Sequence, residues 1–199
     1  MAQLFTSLTN PELHAAIAQG KVGVIPTDTV YGLVCSAGNE TSVARLFQVK
    51  PRDTKPGTII AASIDQLERL GLKRRYLTAD SSFWPGAVSV IVPCADPKLT
   101  YLHRGQQSLA VRIPETAELL AILQDVGPLC TTSANLPGQP TATTITAAQE
   151  CFGDTVDFYV DGGDLSGRPP STIIRIIDDA IEIVREGAVK INEAGRIES

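Results

Sequence analysis

The sequence predicts an α/β fold: a twisted mixed sheet flanked by helices, with a concave cleft for ligands. Three observations carry this. Helix-period segments alternate with short apolar runs, and two β-rich runs near the C-terminus are separated only by Asp178 and Asp179. No repeat, low-complexity tract or linker divides the 199 residues, of which 43% are hydrophobic, enough for one substantial core. The expectation is a single domain over residues 1–199, with its core at about 10–190 and a polar tail at 192–199.

The elements follow in order. Asn10 and Pro11 read as the cap and first residue of a helix that Gly20 stops, and Val22 to Ile25 as a buried strand. A helix suits Thr41 to Val49, a strand Thr58 to Ala62, and a short helix Asp65 to Leu70 behind the cap Ser63. Strands suit Ala87 to Val92 and Leu109 to Ile113, followed by a helix from Glu115 to Asp125 and an apolar run from Pro128 to Thr132. Ser171 to Ile177 and Ala180 to Arg185 form a hairpin turning at Asp178 and Asp179, so the sheet must contain antiparallel pairs.

Composition narrows the function classes. No run approaches 18 apolar residues and Met1 to Thr9 lacks the pattern of a signal peptide, so a cytoplasmic location without membrane contact is expected. A net charge of −5 argues against broad attraction to nucleic acid, and Lys73-Arg74-Arg75 reads as a solvated helix end. Cys35, Cys94, Cys130 and Cys151 lack metal or redox spacing and read as buried thiols; His14 and His103 read as structural or surface residues. No protein-held metal site and no covalent catalytic group is indicated.

Polar side chains collect at strand ends, where open α/β sheets bind ligands. Pro26 to Leu33 places Thr27, Asp28 and Thr29 where the first strand leaves the sheet; a self-bonded turn is the alternative. Lys50-Pro51-Arg52 closes a helix with two cations suited to a phosphate, or simply to the helix dipole. Cys130 to Asn135 crowds hydroxyls and an amide at a strand end, as a polar cradle or a local turn. Arg112, among otherwise neutral hydroxyls, and Arg185 each close a strand with a guanidinium fork suited to carboxylate or phosphate. Walker-type and Rossmann glycine motifs are absent from the sequence.

Taken in order, Pro26-Thr27-Asp28-Thr29-Val30-Tyr31-Gly32-Leu33, Lys50-x-Arg52, Trp84-Pro85-Gly86, Ala110-Val111-Arg112-Ile113-Pro114, Thr132-Ser133-Ala134-Asn135, Pro170-Ser171-Thr172 and Val184-Arg185-Glu186-Gly187 resemble the YrdC family of threonylcarbamoyl-adenylate synthases, in its short single-domain branch. The resemblance spans about residues 10–190 and implies a YrdC-like fold. It implies the reaction of ATP, L-threonine and bicarbonate to threonylcarbamoyl-AMP and pyrophosphate, which serves threonylcarbamoyladenosine formation at position 37 of tRNA. It assigns Thr29, Arg112, Thr131 and Ser171 to L-threonine, and Lys50, Arg52, Ser108, Ser133, Thr141 and Arg185 to ATP, with Thr27, Tyr31 and Asn135 as second choices. Mg²⁺ is expected with ATP, held mostly by substrate and water. Transient contact with the threonylcarbamoyl-transferase machinery and weak tRNA binding are further implied partners.

Lys55-Pro56-Gly57-Thr58 departs from the family's usual Pro-Leu pair, which leaves that loop's part in ATP binding open. Two other readings stand beside the synthase: a non-catalytic RNA-binding module of the same fold, and a YciO-like relative with different chemistry.

Overall fold

The computed structural model describes residues 1–79, 81–177, 180–192 and 195–198. Its first half runs β1 (Gln3–Phe5), α1 (Pro11–Ala18), β2 (Gly23–Pro26), β3 (Tyr31–Ser36), α2 (Glu40–Val49), β4 (Thr58–Ile60), α3 (Ile64–Leu70) and α4 (Arg74–Ala79). There follow β5 (Val88–Pro93), α5 (Thr100–His103), β6 (Ser108–Arg112), α6 (Ala117–Val126), β7 (Leu129–Ser133), α7 (Ile145–Phe152), β8 (Phe158–Val160), β9 (Thr172–Ile177) and β10 (Ala180–Arg185). The strands form one mixed sheet in the order β1-β8-β2-β3-β7-β4-β6-β5-β9-β10.

The helix starts are set by capping side chains. Asn10 accepts from the Glu12 amide at 2.8 Å with Pro11 in the first turn, and Ser63 accepts from the Gln66 amide at 3.3 Å. These satisfy amides that would otherwise lack partners at a helix start. Thr144 caps α7 in the same way. β9 and β10 pair antiparallel as the sequence requires, while the expected turn at Asp178 and Asp179 lies outside the described residues.

Two features go beyond the sequence reading. The segment after β2 is not only a polar turn: Tyr31–Ser36 is a buried central strand, paired with β2 and β7. Its run of Tyr, Leu, Val and Cys suits burial on both faces, which leaves no alternation to read. Described residues of the expected tail also make contacts. Ile191 and Ile197 form an antiparallel bridge, and a Cβ at Gly195 would lie 2.6 Å from the Ile181 side chain. The Lys73-Arg74-Arg75 run opens α4, where Arg74 bonds Asp65 at 2.7 Å and Glu68 at 2.8 Å.

The two sheet faces are covered unequally. One carries Leu33, Cys35, Ile59, Val90 and Val111 and packs against Val43 and Leu46 of α2, Leu67 of α3 and Leu77 of α4. The other carries Val34, Ile60, Leu129 and Phe158, covered by Leu13 and Ile17 of α1 and Leu119, Ile122 and Leu123 of α6. That second apolar layer includes no residue of β5, β6 or β9. Residues paired across a sheet share a face. The row Val34, Thr131, Thr58, Ala110, Ile91 and Arg175 is therefore on the α1 and α6 side. It passes from under the helices into a polar stretch of open sheet.

Asp157 fastens the N-terminal end of this sheet. It accepts from the Val22 amide at 2.8 Å, pairs with both terminal nitrogens of Arg45, one at 3.0 Å, and its own amide bonds Val22 O at 2.7 Å. Burial alone would raise its pKa, but the Arg45 and Val22 bonds hold it below the ordinary carboxylate range. A depressed native pKa contributes stability that is present above the unfolded value of ~3.9 and lost as pH falls through the native one. Asp157→Ala is expected to lower the unfolding free energy by about 1–3 kcal/mol at neutral pH. In urea melts that deficit shrinks as the pH drops below about 4; a deficit unchanged by acid would contradict the assignment.

Candidate functional site

The uncovered stretch of sheet is the floor of a cleft with a cavity of about 290 Å³. Thr131, Thr58, Ala110, Ile91 and Arg175 cross its floor, with Ser108 and Arg112 two residues either side of Ala110 on β6. The walls come from the turn after β2, the 52–57 segment, the β7 end and the junction of Pro170 and Ser171 with Arg185. Gly32 allows the first wall to close: a Cβ there would lie 2.6 Å from the Thr131 hydroxyl oxygen. Gly187 does so at the far side, where a Cβ would be 2.2 Å from the Pro170 carbonyl oxygen.

Of the ten expected site residues, Thr29, Arg52, Ser108, Arg112, Thr131, Ser133, Ser171 and Arg185 line the cavity. Lys50 and Thr141 do not. Lys50 is 5% exposed, and its ammonium donates to the Ser133 carbonyl oxygen at 2.6 Å, the Asn135 side-chain oxygen at 2.8 Å and Ser133 Oγ at 3.2 Å. Three donors thus meet three neutral acceptors. Burial, reinforced by Arg52 nearby, lowers the Lys50 pKa to about 8. Lys50 and Arg52 are therefore not two equal prongs: Arg52 faces the cleft, while Lys50 sets the conformation of the 133–135 turn behind it. Thr141 stands one residue before Ala142, whose amide bonds Ala134 O at 2.8 Å.

Arg112 is not surrounded by neutral hydroxyls alone, as its sequence neighbourhood suggests. It is 4% exposed and donates through Nη2 to Asp28 Oδ1 at 2.8 Å. The Asp28 side chain is as buried as that of Arg112, so burial pushes its carboxyl above the ordinary range while Arg112 opposes the shift. Arg112 Nε and Asp28 Oδ2 have no partner among the described residues, so each group keeps hydrogen-bonding capacity in reserve. Asp28, which the sequence places at this strand end but to which the resemblance assigns no role, is thereby a functional candidate; its adjacency to two cleft threonines was the available signal.

Several polar groups of the motif also hold the structure, although Thr27 and Tyr31 line the cavity as well. Thr27 Oγ1 donates to Val30 O at 2.6 Å and accepts from the Thr29 amide at 3.2 Å, the self-bonded turn considered from sequence. Tyr31 is fully buried, its hydroxyl donating to Gly163 O at 2.8 Å and accepting from the Gly162 amide at 2.9 Å. Asn135 holds Leu136 O and Gln139 O with its amide nitrogen while receiving Lys50 and Ser133 at its oxygen.

Arg185 secures the wall that it shares with Ser171. It donates to Ser171 O from Nη2 at 2.7 Å and from Nε at 3.2 Å, and Ser171 Oγ lies 3.0 Å from Ser89 Oγ. Burial, with Arg112 and Arg52 nearby, lowers the Arg185 pKa, a sign of concentrated positive potential. Gln106 and Arg175, which no motif marks, also line the cavity. Among the described residues no cluster of three His, Cys, Asp or Glu could hold a metal, and Asp28 is engaged by Arg112. The four cysteines are free; Cys151 is half-buried and the other three are buried.

Known proteins resemble this chain in sequence and in fold. The threonylcarbamoyl-AMP synthase of Idiomarina loihiensis is 33% identical over 174 residues, covering 84% of this chain and 93% of the relative. The crystal structure of P. abyssi Sua5 complexed with L-threonine superposes with a TM-score of 0.82 at 26% identity, covering 95% of this chain and 58% of that one. E. coli YciO superposes at 0.76 with 25% identity, covering 94% and 96%. The chain spans little more than half of the longer relatives, 55% of the Bacillus subtilis threonylcarbamoyl-AMP synthase. No helix among the described residues is long and apolar enough to cross a membrane. The Sua5, YciO and YrdC family model, described as telomere recombination, matches residues 15–187, and this chain belongs to that family.

Proposed function

We propose that this chain is a threonylcarbamoyl-AMP synthase that joins L-threonine, bicarbonate and ATP and releases pyrophosphate. The observation that carries the reading is the union of Lys50-x-Arg52 with Ser133-Ala134-Asn135. Segments more than eighty residues apart meet in one hydrogen-bonded unit that presents Arg52 and Ser133 to the cleft. Relatives named as this synthase at 33% and 35% identity support it.

In this reading the threonine amine takes up the bicarbonate carbon, giving a carbamate and water. A carbamate oxygen then attacks the α-phosphorus of ATP, and the bond to pyrophosphate breaks. No protein nucleophile is required: the cleft need only hold the reactants together and offset charge on the leaving group. Arg52 and Arg185, with Ser108 and Ser133, serve the phosphates, and Lys50 supports them through Ser133. Arg112, with Thr29, Thr131 and Ser171, receives the threonine, its carboxylate on the guanidinium. Mg²⁺ enters as part of the nucleotide substrate, on phosphate oxygens and water. A cytoplasmic location, and use of the product by a threonylcarbamoyl transferase acting on tRNA, complete the proposal.

Pyrophosphate release is expected to require L-threonine and bicarbonate together, and release without threonine would favour a YciO-like or other chemistry. Arg52→Ala should lower that release by at least about tenfold through loss of a charged contact, with melting temperature little changed. The rate should also fall as pH rises through about 8, because Lys50 then loses the proton that fills its three bonds. Lys50→Arg should move this descent to higher pH; a descent at the same pH would remove Lys50 from the account.

Arg112→Lys tests the division of the cleft. Lysine keeps a cation opposite Asp28, so the buried pair survives, but it cannot offer a carboxylate two parallel donors. Calorimetry should show threonine binding weakened about tenfold or more and ATP binding nearly unchanged. Loss of ATP binding with threonine affinity retained would place Arg112 in the phosphate site instead.

A further inference from the structure

Arg52 leaves the end of α2 on a segment, 51–57, that has no regular structure of its own. What holds it is the turn between α5 and β6. Arg104 donates through Nη1 to Arg52 O at 2.6 Å and to Lys55 O at 3.3 Å, and its guanidinium lies 4.2 Å from the centre of the Phe47 ring. Gln106 adds a bond from Nε2 to Thr54 Oγ1 at 3.2 Å and itself lines the cavity. The segment that departs from the family pattern at Lys55-Pro56-Gly57 is thus tied by two side chains of one turn.

The backbone of that turn is unusual. Arg104 ends α5 at φ 51°, Gly105 follows at 86° and Gln107 stands at 54°. A left-handed residue after a helix is ordinarily glycine, because a Cβ is crowded there. An arginine in that position bears a conformational cost that its backbone bonds alone do not explain. Its side chain gives the reason: from this φ the guanidinium reaches both carbonyl oxygens and the Phe47 face.

We infer that Arg104 is the positioning residue for Arg52, a clamp that fixes the 52–55 backbone so that the Arg52 guanidinium faces the nucleotide end of the cleft. The inference rests on the reading of that end as an ATP site. Arg104 carries no substrate contact in this role; it acts through Arg52. The arrangement also explains how the cleft tolerates the altered 55–57 sequence, since Arg104 grips main-chain oxygens, which every residue offers.

The test is a double-mutant cycle read by calorimetry on the full chain. Arg104→Lys keeps the charge but not the fork, and is expected to weaken ATP binding about fivefold or more while threonine affinity stays within about twofold. In an Arg52→Ala background the same change should have less than about a twofold effect, because the group it positions is gone. Arg104→Gly accepts the left-handed φ freely, so it should fold and still lose ATP affinity, which separates the clamp from a purely structural role. A fivefold loss that persists without Arg52, or unchanged ATP affinity in Arg104→Lys and Arg104→Gly, would overturn the inference. An unaltered chain that binds ATP in this pattern but forms no threonine-dependent pyrophosphate would refute the synthase reading and leave the clamp standing. Absence of ATP binding by the unaltered chain would overturn both.

Discussion

A sheet face buried under helices must be apolar, and the cleft of this protein exists because α1 and α6 are too few to cover theirs. Their leucines and isoleucines meet Val34, Leu129 and Ile60, and the apolar layer stops there. One strand further on, the same face presents Arg112, Ala110 and Ser108, and beyond them Ile91 and Arg175. Where helices end, water or ligand must satisfy the sheet, so polar residues become tolerable at that point. Ala110, small and central in the row, keeps the floor low. The opposite face, covered by α2 to α4, supplies the rigidity that holds the floor in place.

The second constraint is how the cleft keeps positive charge without losing it to internal carboxylates. Lys50 is held by a carbonyl, a hydroxyl and an amide oxygen, and Arg185 by Ser171. Arg52 has no carboxylate partner among the described residues, and the arginine that secures its segment bonds main-chain oxygens. Neutral acceptors fix geometry while leaving the field intact, which suits a polyanion in a chain whose net charge is −5. Arg112 differs: Asp28 compensates it. A compensated guanidinium suits a single carboxylate on a substrate that also carries an amine. The proposed division into a triphosphate end and an amino-acid end thus follows the distribution of counter-charges.

Much of the fold is readable in the sequence because local chemistry decides it. Asn10, Ser63 and the hairpin runs at 171–185 act where they stand, and their elements form as read. β3 resists reading because both its faces are buried, and β1 and β8 are three-residue strands whose pairing alone defines them. The site is legible as a set of polar strand ends, most of which line one cavity. What the sequence does not reveal is who meets whom. The Lys50 contacts span more than eighty residues, the Asp28 and Arg112 pair spans 84, and Arg104 reaches back 52. Such pairings are products of sheet order, which no local pattern encodes. They turn a row of candidate ligands into supports, such as Lys50 and Asn135, and groups that face the cleft, such as Arg52.

The central claim is that one cleft brings a carbamate of threonine to the α-phosphorus of ATP. Incubation of the chain with ATP, L-threonine and carbon-13 bicarbonate, followed by mass spectrometry of the quenched mixture, tests it most directly. The account predicts an AMP adduct heavier than threonyl adenylate by one labelled carboxyl unit, appearing with pyrophosphate in equal amount. Threonyl adenylate without the label, or ATP consumed to ADP and phosphate with no adduct, would contradict it.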